Sequence, residues 1–475
     1  MNVRSNLHLC FWNARKPFPL AISCAVILLA ASGCGPYRAA DRVRNALKSQ
    51  PPVIDLPAGE VHLDRPLVIP KGTVSLQLRG DSSGSTLVLD PGFKGTAAIE
   101  AEGVSNVTLS GFTVRGNRDK LQSQWYLPLK EAAFADYYTD NGIVIRKSNG
   151  ITIRDVAFSK IRAFPIIVNA TAKATIDAVT IEDCGTLNPG GHNNTTGGIL
   201  IEEGSSGFEV RKANINRVAG NAIWTHSYAR SPRQANGLIT ENIIAGVGRD
   251  AIQVGHATNV RVEKNHGSLI GFPPEYIDFA GLGTPVAIDT AGNVDHTLYV
   301  NNNFEDVNGQ CIDLDGFHDG EVSGNRCINN SASAATLAGL HFGIMFGNHD
   351  PGMTSSNVTV SGNVLQGFAY GAIFLIGDHH LIEDNRFVNM NLARCGSEPT
   401  PAKCLAMADQ PDALRSGIYL SDDGGRPAKT RGNVIRGNSI EGFGIEQHCI
   451  TAKRGVDLKA NMIAGNTCEN PEVSQ

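Results

Sequence analysis

The chain has 475 residues, 52 of them glycine, about 11% against a usual ~7%. Apolar residues make up 41%, charged residues 18% and aromatics 6%, and the formal net charge is −5. This is too apolar for a disordered chain. It lacks the basic excess of sequence-independent nucleic-acid binding, so no nucleic-acid partner is expected. The length suits two or three ordinary domains or one elongated repeat domain.

The N-terminus reads as an address. Arg4, Arg15 and Lys16 precede an apolar stretch from Leu20 to Ala31, about a dozen residues and too short for a spanning helix of ~20. Residues 1–33 are therefore expected to be an export signal. The stretch ends in Ala30-Ala31-Ser32-Gly33-Cys34, which resembles a bacterial lipobox. That resemblance implies lipidation of Cys34 and a membrane-anchored protein on the periplasmic or outer-membrane face, with plain secretion as the alternative. Residues 34–50 read as a linker and a short amphipathic helix, Ala40 to Leu47. A strand-like segment, Val53 to Val61, opens the remaining domain, residues 51–475.

From about residue 142 one pattern recurs: a small residue, Ile, any residue, an apolar residue, then a turn. Copies include Gly142-Ile143-Val144-Ile145, Gly198-Ile199-Leu200-Ile201, Ala251-Ile252-Gln253-Val254, Cys311-Ile312-Asp313-Leu314 and Gly417-Ile418-Tyr419-Leu420. Each reads as a short alternating strand. About 13 residues later comes Val or Ile, two residues, then Asn, giving Asn242, Asn265, Asn303, Asn325, Asn363, Asn385, Asn438 and Asn466. The tightest spacings, 22 and 23 residues, describe a solenoid coil whose Asn side chains stack in one turn. Long non-repeat segments at about 116–139, 186–196, 227–236, 266–284, 347–357, 388–414 and 422–431 read as insertions, where binding residues usually sit. The first carries Trp125, Tyr126, Tyr137 and Tyr138, aromatics suited either to packing the loop down or to stacking on sugar.

These repeats, with the helix and the Val53-Ile54-Asp55-Leu56-Pro57-Ala58-Gly59 entry, resemble the pectate-lyase-like superfamily over roughly residues 40–470. The resemblance implies an all-β fold: a single-stranded right-handed parallel β-helix of about 22-residue coils with a short N-terminal capping helix. It says little about chemistry, because the fold hosts many functions.

In such a coil the Ile and the apolar residue point inward and the intervening positions outward. The first outward column then runs Val144, Ile167, Leu200, Trp224, Gln253, Asp289, Asp313, Met345, Phe374, Tyr419. The second runs Arg146, Asn169, Glu202, His226, Gly255, Ala291, Asp315, Gly347, Ile376, Ser421. Polar residues concentrate on the central coils. Asp289 and Asp313 are expected as stacked neighbours and Asp315 beside Asp313, with a diagonal Asp289–Asp315 separation of about 8 Å from strand geometry. That lies in the ~6.5–9.5 Å range of an inverting glycosidase pair. Stacked carboxyls cannot all ionise cheaply, so one is expected to act as an acid. Asp313 or Asp315 is expected as that acid and Asp289 as the base or its partner. Trp224, His226, Gln253 and His318 are expected to bind sugar.

The cluster resembles that of polygalacturonase-type glycoside hydrolases, with Asp289 in Ile288-Asp289-Thr290 and Asp313 and Asp315 one coil on. Here the pair is Asp-Leu-Asp rather than adjacent, and the Gly-His-Gly and Arg-Ile-Lys motifs are missing. The expected function is an exported carbohydrate-active protein acting on a polysaccharide or other glycan. Hydrolysis is the first expectation and elimination by a lyase the second; a non-catalytic glycan-binding surface protein is the alternative. No resident cofactor is expected, but Ca²⁺ held by Asp289, Asp313 and Asp315 would serve a lyase. A monomer is the default. Of the seven cysteines beyond Cys34, Cys395 and Cys404 are the expected disulfide and Cys184 the expected free thiol. Cys311/Cys327 and Cys449/Cys468 are either same-coil disulfides or buried thiols.

Overall fold

The structure, a computed structural model, describes residues 37–118, 126, 133–228, 230–279, 283–330, 338–407 and 410–471. The export segment, Cys34 and Trp125 lie outside the described residues. Among the described residues no helix is long and apolar enough to cross a membrane.

The chain winds as a right-handed parallel β-helix. A typical coil contributes three short strands, such as Ile223–His226, Gln234–Thr240 and Ile243–Val247. Coil pairs with coil in parallel register, and the isoleucines of the repeat align through Ile199, Ile223, Ile252, Ile288, Ile312, Ile344, Ile373, Ile418 and Ile450. These point inward and are buried except for Ile450, which sits in the last coil. β-branched side chains suit this position because they pack against the same residue above and below.

The turn between second and third strands carries the Asn ladder. Asn242 Nδ2 donates to Asn265 Oδ1 (2.8 Å), and the chain of amides continues through Asn302, Asn325, Asn363, Asn385, Asn438 and Asn466. The rung is Asn302, not the expected Asn303. The inward residue of that coil is Tyr299, aligned with Val262 and Val322, so counting from Val300 runs one residue too far. Each amide bonds its neighbours and a backbone carbonyl, so the buried polar column is satisfied.

Helix α1, Arg38–Ser49, closes the N-terminal end by burying Ala40, Val43 and Leu47. Arg44 fixes its seat, donating to Asp41, Asp64 and the Arg65 carbonyl. Cys311–Cys327 and Cys449–Cys468 join first and third strands of their own coils, with Cα atoms 6.0 and 5.4 Å apart. Cys395–Cys404 closes a short loop, and Cys184 is free and buried.

The insertions fall on both sides of the first strands. Long connections at 186–198, 271–285, 329–343 and 391–417 lead into first strands, and 347–357 and 422–430 lead out of them. Several boundaries differ from expectation: the strands Gln234–Thr240 and Arg386–Met390 take up the end of the expected 227–236 insertion and the start of the expected 388–414 insertion. Residues 266–270 form a third strand, His266–Ile270, so that insertion begins at 271. The connection between the strands Arg326–Ile328 and Ile344–Gly347 is a further long one that the repeat reading did not assign.

Candidate functional site

The two outward columns are aligned as expected. Trp224 pairs with Gln253, and Gln253 with Asp289. Ile288 pairs with Ile312 and Ala291 with Asp315, so Asp289 stands against Asp313 on the next coil. Asp313 and Asp315 in turn face Met345 and Gly347.

The carboxylates are held unequally. Asp289 is 8% exposed and accepts a bond from Gln253 Nε2 (2.5 Å), whose own carbonyl accepts from Asn221 Nδ2 (2.7 Å). Asp315 is half-buried, and its Oδ1 accepts from the His349 backbone N–H (2.9 Å), with the His349 ring 3.1 Å away. Two glycines make room. Gly347 has no side chain where a Cβ would lie 2.8 Å from Asp315 Oδ1, and Gly316, at φ +83°, passes against the Gly292 carbonyl where any Cβ would collide. Gly316, left-handed within the strand Gln310–His318, stands between Asp315 and His318, where the register with the preceding coil shifts.

A fourth acid, which the sequence reading missed, joins them. Asp250 is fully buried; its Oδ1 accepts from the Val286 N–H (3.0 Å). Its Oδ2 has no hydrogen-bond partner and lies 3.4 Å from the Arg249 guanidinium. The available signal was its place immediately ahead of the Ala251-Ile252 repeat, aligned with Asn221 and Val286.

Burial and mutual repulsion raise Asp250, Asp289 and Asp313. Burial lifts the Asp289 carboxyl well above its ordinary range, and Asp250 and Asp315 push it further against the partial relief of Arg249 and Gln253. Asp313 is raised well above its ordinary range by burial and then by Asp289, Asp315 and Asp250. Asp250 is pushed up to about 6, mainly by burial. A carboxyl raised in this way holds its proton to higher pH, which suits acid catalysis.

Four residues expected to bind sugar are engaged within the protein. Trp224 is only 5% exposed and lies under Phe134, ring centroids 5.0 Å apart, so it offers no free plane to a sugar. His226 stacks on the same Phe134 at 4.7 Å, and burial lowers it to about 4. Gln253 spends its amide on Asp289 and Asn221. His318 lies beyond the register shift at Gly316 with both ring nitrogens engaged, by Asp319 (2.8 Å) and Asn293 (2.9 Å).

Nor do Asp289, Asp313 and Asp315 form a converging cation cage. Among the described residues, their donor atoms do not all lie within 4.8 Å of one another. The described group whose donor atoms lie within 4.8 Å of one another is Glu202, Glu203 and His226. There both Glu202 oxygens already accept N–H donors from Phe134, Ala135 and Asn169. A separate pocket of about 410 Å³, lined by Leu187, Leu269, Phe272 and Tyr276, contains none of the aspartates.

Residues 97–268 match the family model of the right-handed β-helix region. The match ends before the coils that carry Asp289, Asp313 and Asp315. A search of curated proteins finds no match to this sequence. Solved structures share the fold. PfbA, a surface adhesin of Streptococcus pneumoniae, is 14% identical with a TM-score of 0.52, over 74% of this chain and 86% of that one. The lidless DFA-IIIase of Arthrobacter chlorophenolicus A6 in complex with GF2 is 13% identical at 0.52, over 90% and 94%. A hyperthermoactive exopolygalacturonase of Thermotoga maritima is 11% identical at 0.50, over 74% and 87%. At these identities the likeness is one of fold.

Proposed function

We propose that this protein is a glycoside hydrolase that cleaves glycosidic bonds with the aspartates of its central coils. The observation that carries the reading is the in-register stack of Asp289 on Asp313, with Asp315 alongside, on a face flanked by loop insertions. Of the three, Asp313 is both raised and partly accessible, and it protonates the glycosidic oxygen. Asp315, oriented by the His349 N–H, takes a proton from the attacking water. Asp289 shares the cluster's protons and keeps Asp313 in its acid form. The Cα atoms of residues two apart on one strand stand about 6.7 Å apart, a spacing that can hold that water between the two carboxyls and accords with inversion at the anomeric carbon.

No lysine or arginine stands in the two columns between Asn169 and Ser421, and an acidic face repels a polyanion. The substrate is therefore a neutral glycan. An export signal and lipid anchor at Cys34 complete the proposal and put the site outside the cytoplasm. The test is proton NMR of the first product released from a neutral glycan panel. The anomer opposite to the substrate's supports the reading; a retained anomer contradicts it, as does an unsaturated, Ca²⁺-dependent product.

A further inference from the structure

The outer face of the first strands is covered at both ends. On the N-terminal side, Val144, Ile167, Leu200 and Trp224 are buried under Phe134 and Tyr138, which form a second apolar cluster separate from the solenoid core. Tyr138 packs on Phe164 at 5.3 Å and Phe134 on Trp224. The cover is pinned from below by Glu202, which accepts the Phe134 and Ala135 N–H groups at 2.9 and 2.8 Å.

On the C-terminal side, Phe374 and Tyr419 are buried as well. Phe342 stands 5.6 Å from Phe374 and 5.5 Å from Tyr370. The 391–417 insertion folds over them. Tyr419 donates to Gln410 (3.2 Å), Tyr370 donates to the Lys403 carbonyl (3.0 Å), Ala413 and Leu414 are buried, and Cys395–Cys404 staples the segment.

Between Val144 and Tyr419, only Asp313 and Met345 of the first column are half-buried, and the rest are buried. The stretch from Gln253 to Met345 covers four coils, a length on the order of 15 Å at about 4.8 Å per coil. Loops line its two long sides. Asn193 ties 186–198 to 271–285, accepting the Asp278 N–H (2.9 Å) and donating its own N–H to the Tyr276 carbonyl (2.6 Å). Across the face, Asn348 donates to the Gly424 carbonyl (2.9 Å) and accepts from the Arg426 N–H (3.0 Å), joining 347–357 to 422–430.

From this we infer that the site is a closed-ended pocket, not a through-going groove, and that its substrate is a short oligosaccharide or the terminal units of a glycan chain. A polymer lying along the solenoid axis would have to displace Phe134 at one end or the Phe342–Phe374 stack at the other. The buried aromatic contacts at each plug, together with the Glu202 tether and the disulfide, hold these covers in place. This inference rests on the hydrolase reading and narrows it to cleavage from an end.

The test is a time course on a linear neutral glycan supplied as short and long chains, with product sizes and solution viscosity recorded together. One small product of fixed length from the first time point is expected, with viscosity barely changed and a rate at equal mass that falls in proportion to the loss of chain ends. Blocking the chain terminus should abolish release. Early fragments of many lengths with a collapse in viscosity would overturn the closed-ended pocket while leaving hydrolysis standing. No product from short or long chains would instead overturn the hydrolase reading, and this inference with it.

Discussion

Glu202 and Asp289 occupy comparable outward positions on coils of the same sheet. Both are buried carboxyls raised far above their ordinary range, Glu202 to about 7. Their surroundings differ. Glu202 sits beneath Phe134 with both oxygens accepting N–H groups, and its column neighbours, Asn169 and His226, carry no carboxyl. Asp289 has Gln253 on one side and Asp313 on the other, with a second acid, Asp250, buried behind it. A raised carboxyl is thus no mark of catalysis by itself. The tethered acid holds a lid, whereas the acid in a cluster has charge to exchange. The covered coils and the central coils share one backbone, and what lies over the strand decides the role.

The largest effect expected from this contrast is at Asp313. Asp313→Asn should lower kcat at least ~10³-fold, within the span of general acid catalysis. Its thermal midpoint should stay unchanged or rise, because it removes repulsion from a crowded acidic group. A loss of stability in a denaturation curve would make the residue structural. On the covered side the expectation reverses. Trp224→Ala should cost about 3–5 kcal/mol of stability by opening a cavity beneath Phe134. A change in substrate affinity at unaltered stability would show that the indole contacts substrate after all.

Glu202 gives the pH test. Its carboxyl is raised from 4.5 to about 7, so the folded state holds a proton that the unfolded state releases. The associated stability is present below about pH 4.5 and lost as pH rises through about 7. The shift corresponds to roughly 3 kcal/mol. Stability measured against pH should therefore fall more steeply over that range in the wild type than in Glu202→Gln, while activity at a fixed pH changes little. Parallel profiles would contradict the tether. A smaller effect is expected at Gly347→Ala. The added methyl displaces the Asp315 carboxylate, and kcat should drop on the order of tenfold with the fold intact. Unchanged kinetics would remove Asp315 from the reaction.

The legible part of this molecule was whatever the repeat carries. Because parallel coils stack residue on residue, reading every second position from Val144 to Tyr419 reproduced the register of both columns, and so brought Asp289, Asp313 and Asp315 together. What repeats do not encode stayed hidden. The cover over Trp224 comes from Phe134, about 90 positions earlier and in a segment with no periodicity. Asp250 stands just ahead of the strand signature, where alternation gives no direction. Asn302 was displaced by one because an aromatic, Tyr299, took the inward place usually held by Val or Ile. The same limit applies to His318, whose side is set by a single left-handed glycine, Gly316.

The central claim is that the uncovered acids of the middle coils break a glycosidic bond. The most direct measurement sets the wild type beside Asp313→Asn on a panel of neutral and acidic glycans, short and long. Reducing ends and the ultraviolet absorbance of unsaturated products would be recorded with Ca²⁺ and with chelator. The account predicts reducing ends from a neutral glycan, no unsaturated product, indifference to chelator, and silence from the folded Asp313→Asn variant. Equal activity in the variant, or unsaturated products that vanish with chelator, would contradict it.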